Sequence, residues 1–194
     1  AYSLLPEPAW DFIASEARHT AFRAATDRFW ALDPDVVLLR GSGIDELEAW
    51  TAVVSAALAG GNYLLGDGRQ ASALRAAMAL DPEILALSRD GVAARPDDIA
   101  AALDDITPLS PVVVGGRPIA IPHVWRKTSR DGARHWVAVF AWDADDFRAN
   151  ISWAEGAEEL VAPAAAGEGV ERVSVSALDD IAVPRHGVRL FAHR

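Results

Sequence analysis

Arg28-Phe29-Trp30-Ala31-Leu32-Asp33-Pro34-Asp35-Val36-Val37-Leu38-Leu39-Arg40 is a β-like segment with one interruption. Asp33-Pro34-Asp35 breaks it, because proline lacks the N–H that a sheet ladder needs and tends to end regular pairing. Either half, 29–32 or 36–39, can be the strand, and the choice decides on which side of it the two aspartates lie. Upstream, an Ala-rich stretch over 9–27 carries Ile13, Ala17, Ala21 and Ala24 at helical spacing. Downstream, Ser42 and Asp45 have the spacing of an N-terminal capping pair. Leu47, Trp50, Val54 and Leu58 then form one apolar stripe, which Gly60-Gly61 terminates. Asn62-Tyr63-Leu64-Leu65 reads as a buried strand ending at Gly66-Asp67-Gly68, and a further helix is expected over 71–80. The order αβαβα implies parallel strands covered by helices. Two strands cannot close a sheet, so further elements upstream are expected to complete it.

The pattern changes near Arg95-Pro96, where short, Val-rich, alternating runs replace helical spacing. Strands are expected over 112–114, 119–127, 135–142, 148–153, 159–161, 171–176 and 188–192. Residues 129–132, with Asp131-Gly132, and 143–146 read as hairpin turns. An antiparallel β-sandwich follows. The Ala/Gly/Glu-rich tract 157–169 is expected to be a mobile excursion. The fold class is therefore α/β followed by all-β, with domains over 1–94 and 95–194.

Among the 194 residues, 51% hydrophobic and 24% charged content argues for a folded chain rather than disorder. A net charge of −10 argues against nucleic-acid binding, which depends on Lys and Arg neutralising phosphates. The longest weakly polar run, 51–60, falls far short of the roughly 20 residues of a membrane-spanning helix, so no membrane contact is expected. The absence of cysteine leaves the compartment open; the cytoplasm is the expected location. Five histidines, at 19, 123, 135, 186 and 193, lack helical metal-ligand spacing, and neither a metal nor a cofactor is expected. Gly41-Ser42-Gly43 lacks the third glycine of a dinucleotide loop. Seven tryptophans, at 10, 30, 50, 125, 136, 142 and 153, suit sugar stacking, although core packing is the favoured reading.

The segment 28–40 resembles the part of melibiase-type α-galactosidases that reads Arg-Phe-Trp, then Asn-Asp-Pro-Asp, then an apolar run ending in Arg. The resemblance continues through the acidic helix start at 45–48, the Gly60-Gly61 break and Leu64-Leu65-Gly66-Asp67, similar to that family's final barrel strand. Ala94-Arg95-Pro96 with Asp98 resembles its link into a C-terminal β-domain, and Val137-Ala138-Val139-Phe140-Ala141-Trp142-Asp143 a strand of that domain. Leu32, Gly68 and Ala141 depart from the family pattern, which has Asn, Asp and Asn there. The resemblance implies the last βα units of a (β/α)8 barrel followed by an antiparallel β-sandwich.

It also implies chemistry. Retaining glycosidases use two carboxyl groups about 5–5.5 Å apart, one attacking the anomeric carbon and one protonating the leaving oxygen. The family's nucleophilic Asp comes from an earlier strand, so an upstream barrel segment or partner chain is expected to supply it. Pro6-Glu7-Pro8-Ala9-Trp10 resembles the acid/base segment, which makes Glu7 the candidate acid; an exposed turn glutamate is the alternative. Asp35 is the candidate sugar-hydroxyl ligand, with Asp33 fixing the loop, Trp30 against the sugar and Asp67 beside it. If 29–32 and 62–65 are strands seven and eight, these aspartates sit at carboxyl ends, where barrel active sites are built. If 36–39 is the strand, Asp33 and Asp35 lie at its amino end; a simple turn remains the other reading of the pair. The expected activity is that of a glycoside hydrolase portion acting on α-galactosides or related sugars, possible oligomerisation included. The alternative is a non-catalytic carbohydrate-binding or interaction module.

Overall fold

The computed structural model describes residues 9–67, 70–97, 109–114, 117–153 and 156–193, with only the backbone for 109–114 and 117–120. Helix α1 (Trp10–Arg23) buries Ile13, Ala14, Ala17, Thr20 and Ala21 along one face and tightens into a 3-10 turn, Ala24–Arg28. The amides of Phe29 and Trp30 still donate to the Thr26 carbonyl, at 2.9 and 3.4 Å. Because those donors finish the helix, residues 29–32 do not form the strand. Strand β1 is Val36–Val37, within the second of the two stretches open in the sequence.

Helix α2 (Glu46–Leu58) starts at a reciprocal cap: Asp45 Oδ1 accepts from Glu48 N at 2.8 Å, and Glu48 Oε2 accepts from Asp45 N at 3.0 Å. The capping partner of Asp45 is thus Glu48, not Ser42. Residues 49–58 are all buried, so this helix is central rather than amphipathic. Two adjacent glycines let the backbone cross there. A Cβ on Gly60, at φ +64°, would lie 1.8 Å from the Val92 carbonyl oxygen, and one on Gly61 would lie 1.9 Å from that of Leu32. The approach is used by Asn62 N, which donates to Leu32 O at 3.0 Å, and by Ala94 N, which donates to Leu58 O at 2.8 Å.

Strand β2 (Leu64–Leu65) pairs parallel with β1, Val36 opposite Leu64 and Val37 opposite Leu65. Helix α3 (Ala73–Leu80) is capped by the Ser72 hydroxyl. Helix α4 (Pro82–Arg89) lies beyond the helix expected over 71–80. Asp81-Pro82 starts it: Asp81 caps the Glu83 amide and proline occupies the first turn.

The rest of the chain forms β3 (Arg95–Pro96), β4 (Leu109–Val114), β5 (Arg117–Pro122), β6 (Val124–Thr128), β7 (His135–Phe140), β8 (Phe147–Ala149), β9 (Ala157–Val161), β10 (Glu171–Val175), β11 (Ile181–Val183) and β12 (Val188–His193). The main sheet has the order β10-β9-β12-β7-β6-β3 and is antiparallel throughout; β4 pairs with β5, and β8 with β11. The expected single strand over 119–127 is two strands in different sheets. Its corner is pinned at Pro122, whose carbonyl accepts both Trp125 Nε1 (2.9 Å) and Trp142 Nε1 (2.8 Å). Residues 143–146 do not close a hairpin, since β8 pairs with β11 and not with β7. The start of the expected excursion, 157–161, is the regular strand β9.

One face of the main sheet packs Trp125, Trp136, Phe140 and Leu190 with residues of α1 to α4 in a single apolar cluster reaching from Ile13 to Ala192. The other face packs Val137, Val139 and Phe191 with Ile151, Ile181 and Val183. The β-rich half is therefore a sheet between helices and a small strand pair. Polar groups fasten these layers. Buried Lys127 binds Asp90 at 2.7 Å and the Leu87 carbonyl at the end of α4, and burial pushes its pKa down. Arg172 bridges Glu83 and Glu158, each at 2.5 Å.

Since α2 is central, Asp45→Ala should lower stability by about 1 kcal/mol. Urea denaturation followed by circular dichroism should show an earlier midpoint with unchanged slope.

Candidate functional site

The parallel pairing of β1 and β2 carries Arg40 and Asp67 to the same end of the two strands. Asp67 Oδ1 meets Arg40 Nη1 at 2.9 Å, and its Oδ2 accepts the Leu39 N–H. Both side chains are less than one-tenth exposed. Arg75, on α3, completes this end: it donates to the carbonyls of Leu39 (2.9 Å), Gly41 (3.1 Å) and Ile44 (2.7 Å) and pairs with Glu46 at 3.0 Å. Carboxylate and guanidinium thus neutralise one another, and each carboxylate oxygen of Asp67 already accepts a hydrogen bond. A buried ion pair stitching two strand ends is what this arrangement accomplishes.

Asp33 and Asp35 lie at the opposite end, before β1. Asp33 Oδ1 accepts from Asp35 N at 3.1 Å, and Asp35 Oδ1 accepts from Val36 N at 2.7 Å. Asp35 has φ +66°, a left-handed conformation that aspartate tolerates better than most residues. Pro34 is buried between two exposed carboxylates, so the tripeptide is a self-bonded turn. The strand assignment to 36–37 puts these aspartates on the amino side of β1, the second of the two placements open in the sequence.

A third carboxyl group joins them. Glu16, half-buried on α1, has its pKa pushed up, first by burial and then by the charge of Asp35; Arg23 opposes this and Asp33 adds to it. Sequence reasoning missed Glu16, although it directly precedes Ala17 of the buried stripe. Together with Phe12, Ile13, Pro34, Val36 and Leu38 it lines an apolar cleft whose enclosed space, about 30 Å³, suits a single water.

Trp30 is 63% exposed and Phe29 78%, the two rings 6.0 Å apart. Core packing, the favoured reading of the tryptophans, holds for Trp50, Trp125, Trp136 and Trp142 but not for Trp30. The structure therefore brings Asp33, Asp35 and Glu16 together, leaves Trp30 on the surface a few residues before them, and holds Asp67 at the other end of the strand pair. Glu7 lies outside the described residues. Among the described residues, no group of three or more His, Asp or Glu is arranged to hold a metal.

The sequence matches no family model and no curated protein. In structure, 94% of the chain matches a GH27 β-L-arabinopyranosidase from Geobacillus stearothermophilus, crystallised with arabinose as its D197A form, at a TM-score of 0.60 and 12% identity. The wild-type form of that enzyme gives 0.58. The chain shares the fold of a part of these glycosidases. α-Galactosidase I from Mortierella vinacea agrees, with a TM-score of 0.50 and 15% identity over 82% of this chain. The likeness covers only 42% of the arabinopyranosidase chain and 38% of the Mortierella chain, so this α-galactosidase-like chain spans about two-fifths of their length.

Removing a buried charge partner is costly, so Asp67→Ala should destabilise the chain by about 3 kcal/mol or more, read as a lower urea midpoint. Glu16 gives a pH signature. Its raised folded-state pKa contributes stability that is complete below the ordinary glutamate value and is lost as pH rises through the raised one. Glu16→Gln should therefore flatten that decline, measured as urea midpoints across the acid range.

Proposed function

We propose that this chain is the C-terminal portion of a retaining glycoside hydrolase acting on α-galactosides or related sugars. In this reading β1 and β2 are the last two strands of a (β/α)8 barrel, and the main antiparallel sheet belongs to the domain that follows. The observation that supports it is a parallel sheet that, among the described residues, has only two short strands, in a chain whose fold matches part of the α-galactosidase-type glycosidases. Two strands of two residues each stand side by side, with Leu64 53% and Leu65 39% exposed on β2, and Phe29 and Trp30 are exposed as well. Parallel sheets are ordinarily covered on both faces and continued by further strands. The missing strands would come from an upstream segment or partner chain, which would also bring the nucleophilic aspartate.

Catalysis would then be a double displacement. The nucleophile attacks the anomeric carbon, the leaving oxygen takes a proton from an acid for which Glu7 is the candidate, and water cleaves the glycosyl-enzyme with that residue acting as base. Asp35 would bind a sugar hydroxyl and Asp33 would set the turn. A second reading, a non-catalytic carbohydrate-binding or interaction module, is favoured by one observation: the carboxylate of Asp67 is fully committed to Arg40 and Leu39.

Intact mass and solution size of the natural polypeptide, measured beside hydrolysis of an aryl α-galactoside, separate the two. The hydrolase reading expects a larger polypeptide or a tight complex with activity. Asp35→Asn keeps the turn, because asparagine tolerates positive φ and can accept the Val36 amide, but removes the charge. It should lower kcat/KM roughly 10-fold or more, as for loss of a hydrogen bond to a charged group. A stable 20.7 kDa monomer without hydrolysis would leave the module reading.

A further inference from the structure

The outer face of the main sheet carries a second cleft, far in sequence from the aspartates discussed above. Its floor follows from strand register. Thr128, His135 and His193 stand opposite one another across β6, β7 and β12, and Arg126, two residues before Thr128, lies on the same face. The Thr128 hydroxyl is 3.0 Å from His135 Nδ1, which leaves the Nε2 edge of that ring to meet a ligand. The two imidazoles lie 6.4 Å apart. Arg126 is oriented by Asp97 through its Nε at 2.6 Å.

Ser152 and Trp153, in the chain after β8, form the wall. Trp153 is half-buried: it packs against the cluster beneath the small strand pair and also borders the open space. That space is about 350 Å³, and a neighbouring cleft of about 280 Å³ begins on the same Ser152-Trp153 segment. Volumes of this order are those of small-molecule sites.

The lining chemistry is unusual for this chain. The protein holds 28 acidic and 18 basic residues, yet among the described residues that line this cleft there is no carboxylate, while Arg126, His135 and His193 are gathered there, the Asp97 carboxylate standing behind Arg126 as its partner. Neutral sugars can be bound by carboxylates accepting from hydroxyls; imidazole and guanidinium donors instead favour an anion. An indole at the rim favours a ring with an apolar face.

We propose that this cleft binds a saccharide bearing a carboxylate, with the sugar ring against Trp153 and the carboxylate between His135, His193 and Arg126. The site is independent of the hydrolase reading, because none of its residues belongs to the β1–β2 region. Two titrations of the whole polypeptide test it, one with trigalacturonate and one with neutral galactotriose, each followed by calorimetry and by the indole N–H resonances, with Trp153→Phe identifying the Trp153 signal. Saturable binding of trigalacturonate that moves the Trp153 resonance is expected, with galactotriose at least 10-fold weaker. Trp153→Ala should weaken binding roughly 5–10-fold. Should that variant unfold, Thr128→Val and His135→Gln, at accessible positions, should still weaken it severalfold. Equal binding of both sugars, an unmoved Trp153 resonance, or folded variants with unchanged affinity would each overturn the assignment.

Discussion

The carboxylate of Asp67 is the point on which the α/β half depends. Two strands of two residues each have too few ladder bonds to hold themselves in place, and a two-stranded sheet is marginal in water. Asp67 fastens β2 to β1 by accepting from the Leu39 amide and pairing with Arg40, and Arg75 then collects the carbonyls of the loop that leads into α2. Burying charges is expensive, and the pair is tolerable because nearly every polar atom in it has a partner. Here Asp67 and Arg75 spend their hydrogen-bonding capacity on the protein itself.

The halves on either side of Arg95 are joined by a shared interior. Helix α2 is buried on every side because Ala49, Ala52, Ala56 and Ala57 keep it narrow enough to lie between α1, α4 and the main sheet. Across that junction Trp10 stacks on His186 at 4.1 Å, while His186 Nδ1 meets Glu48 at 2.7 Å and its carbonyl accepts the Thr51 hydroxyl. The β-rich half thereby touches the same first turn of α2 that Asp45 caps. Disturbing either half at these contacts exposes apolar surface in both.

Sequence reading succeeded where one local signal had no competitor. Helix α2 combines an acidic cap, an apolar run and two glycines, all agreeing, and the turn at 129–132 is stated by Asp131-Gly132, with Gly132 at φ +75°. It failed where a residue served two masters. Phe29 and Trp30 have strand-like composition but their amides finish a helix; Pro122 sits inside an apparently continuous β run, yet two indoles draw on its carbonyl and turn the chain. Of the candidate site, the Asp33-Pro34-Asp35 turn was legible from its residue types. The commitment of Asp67 was not, because its partners lie 27 and 28 residues away and only the parallel register brings them within reach.

The two halves differ in how completely they cover their own apolar surface, and this asymmetry has a physical meaning. In the β-rich half Trp125, Trp136, Trp142, Phe140 and Phe191 are fully enclosed. In the α/β half, Phe29, Trp30, Leu64 and Leu65 are in the open, the last two on β2 itself. Isolated exposed hydrophobics are ordinary, but among the described residues β1 and β2 pair only with each other, and an open strand edge beside exposed apolar side chains invites strand addition. A covering layer that supplied parallel strands would satisfy the edges and the side chains together, whereas a ligand or a loop would satisfy only the side chains.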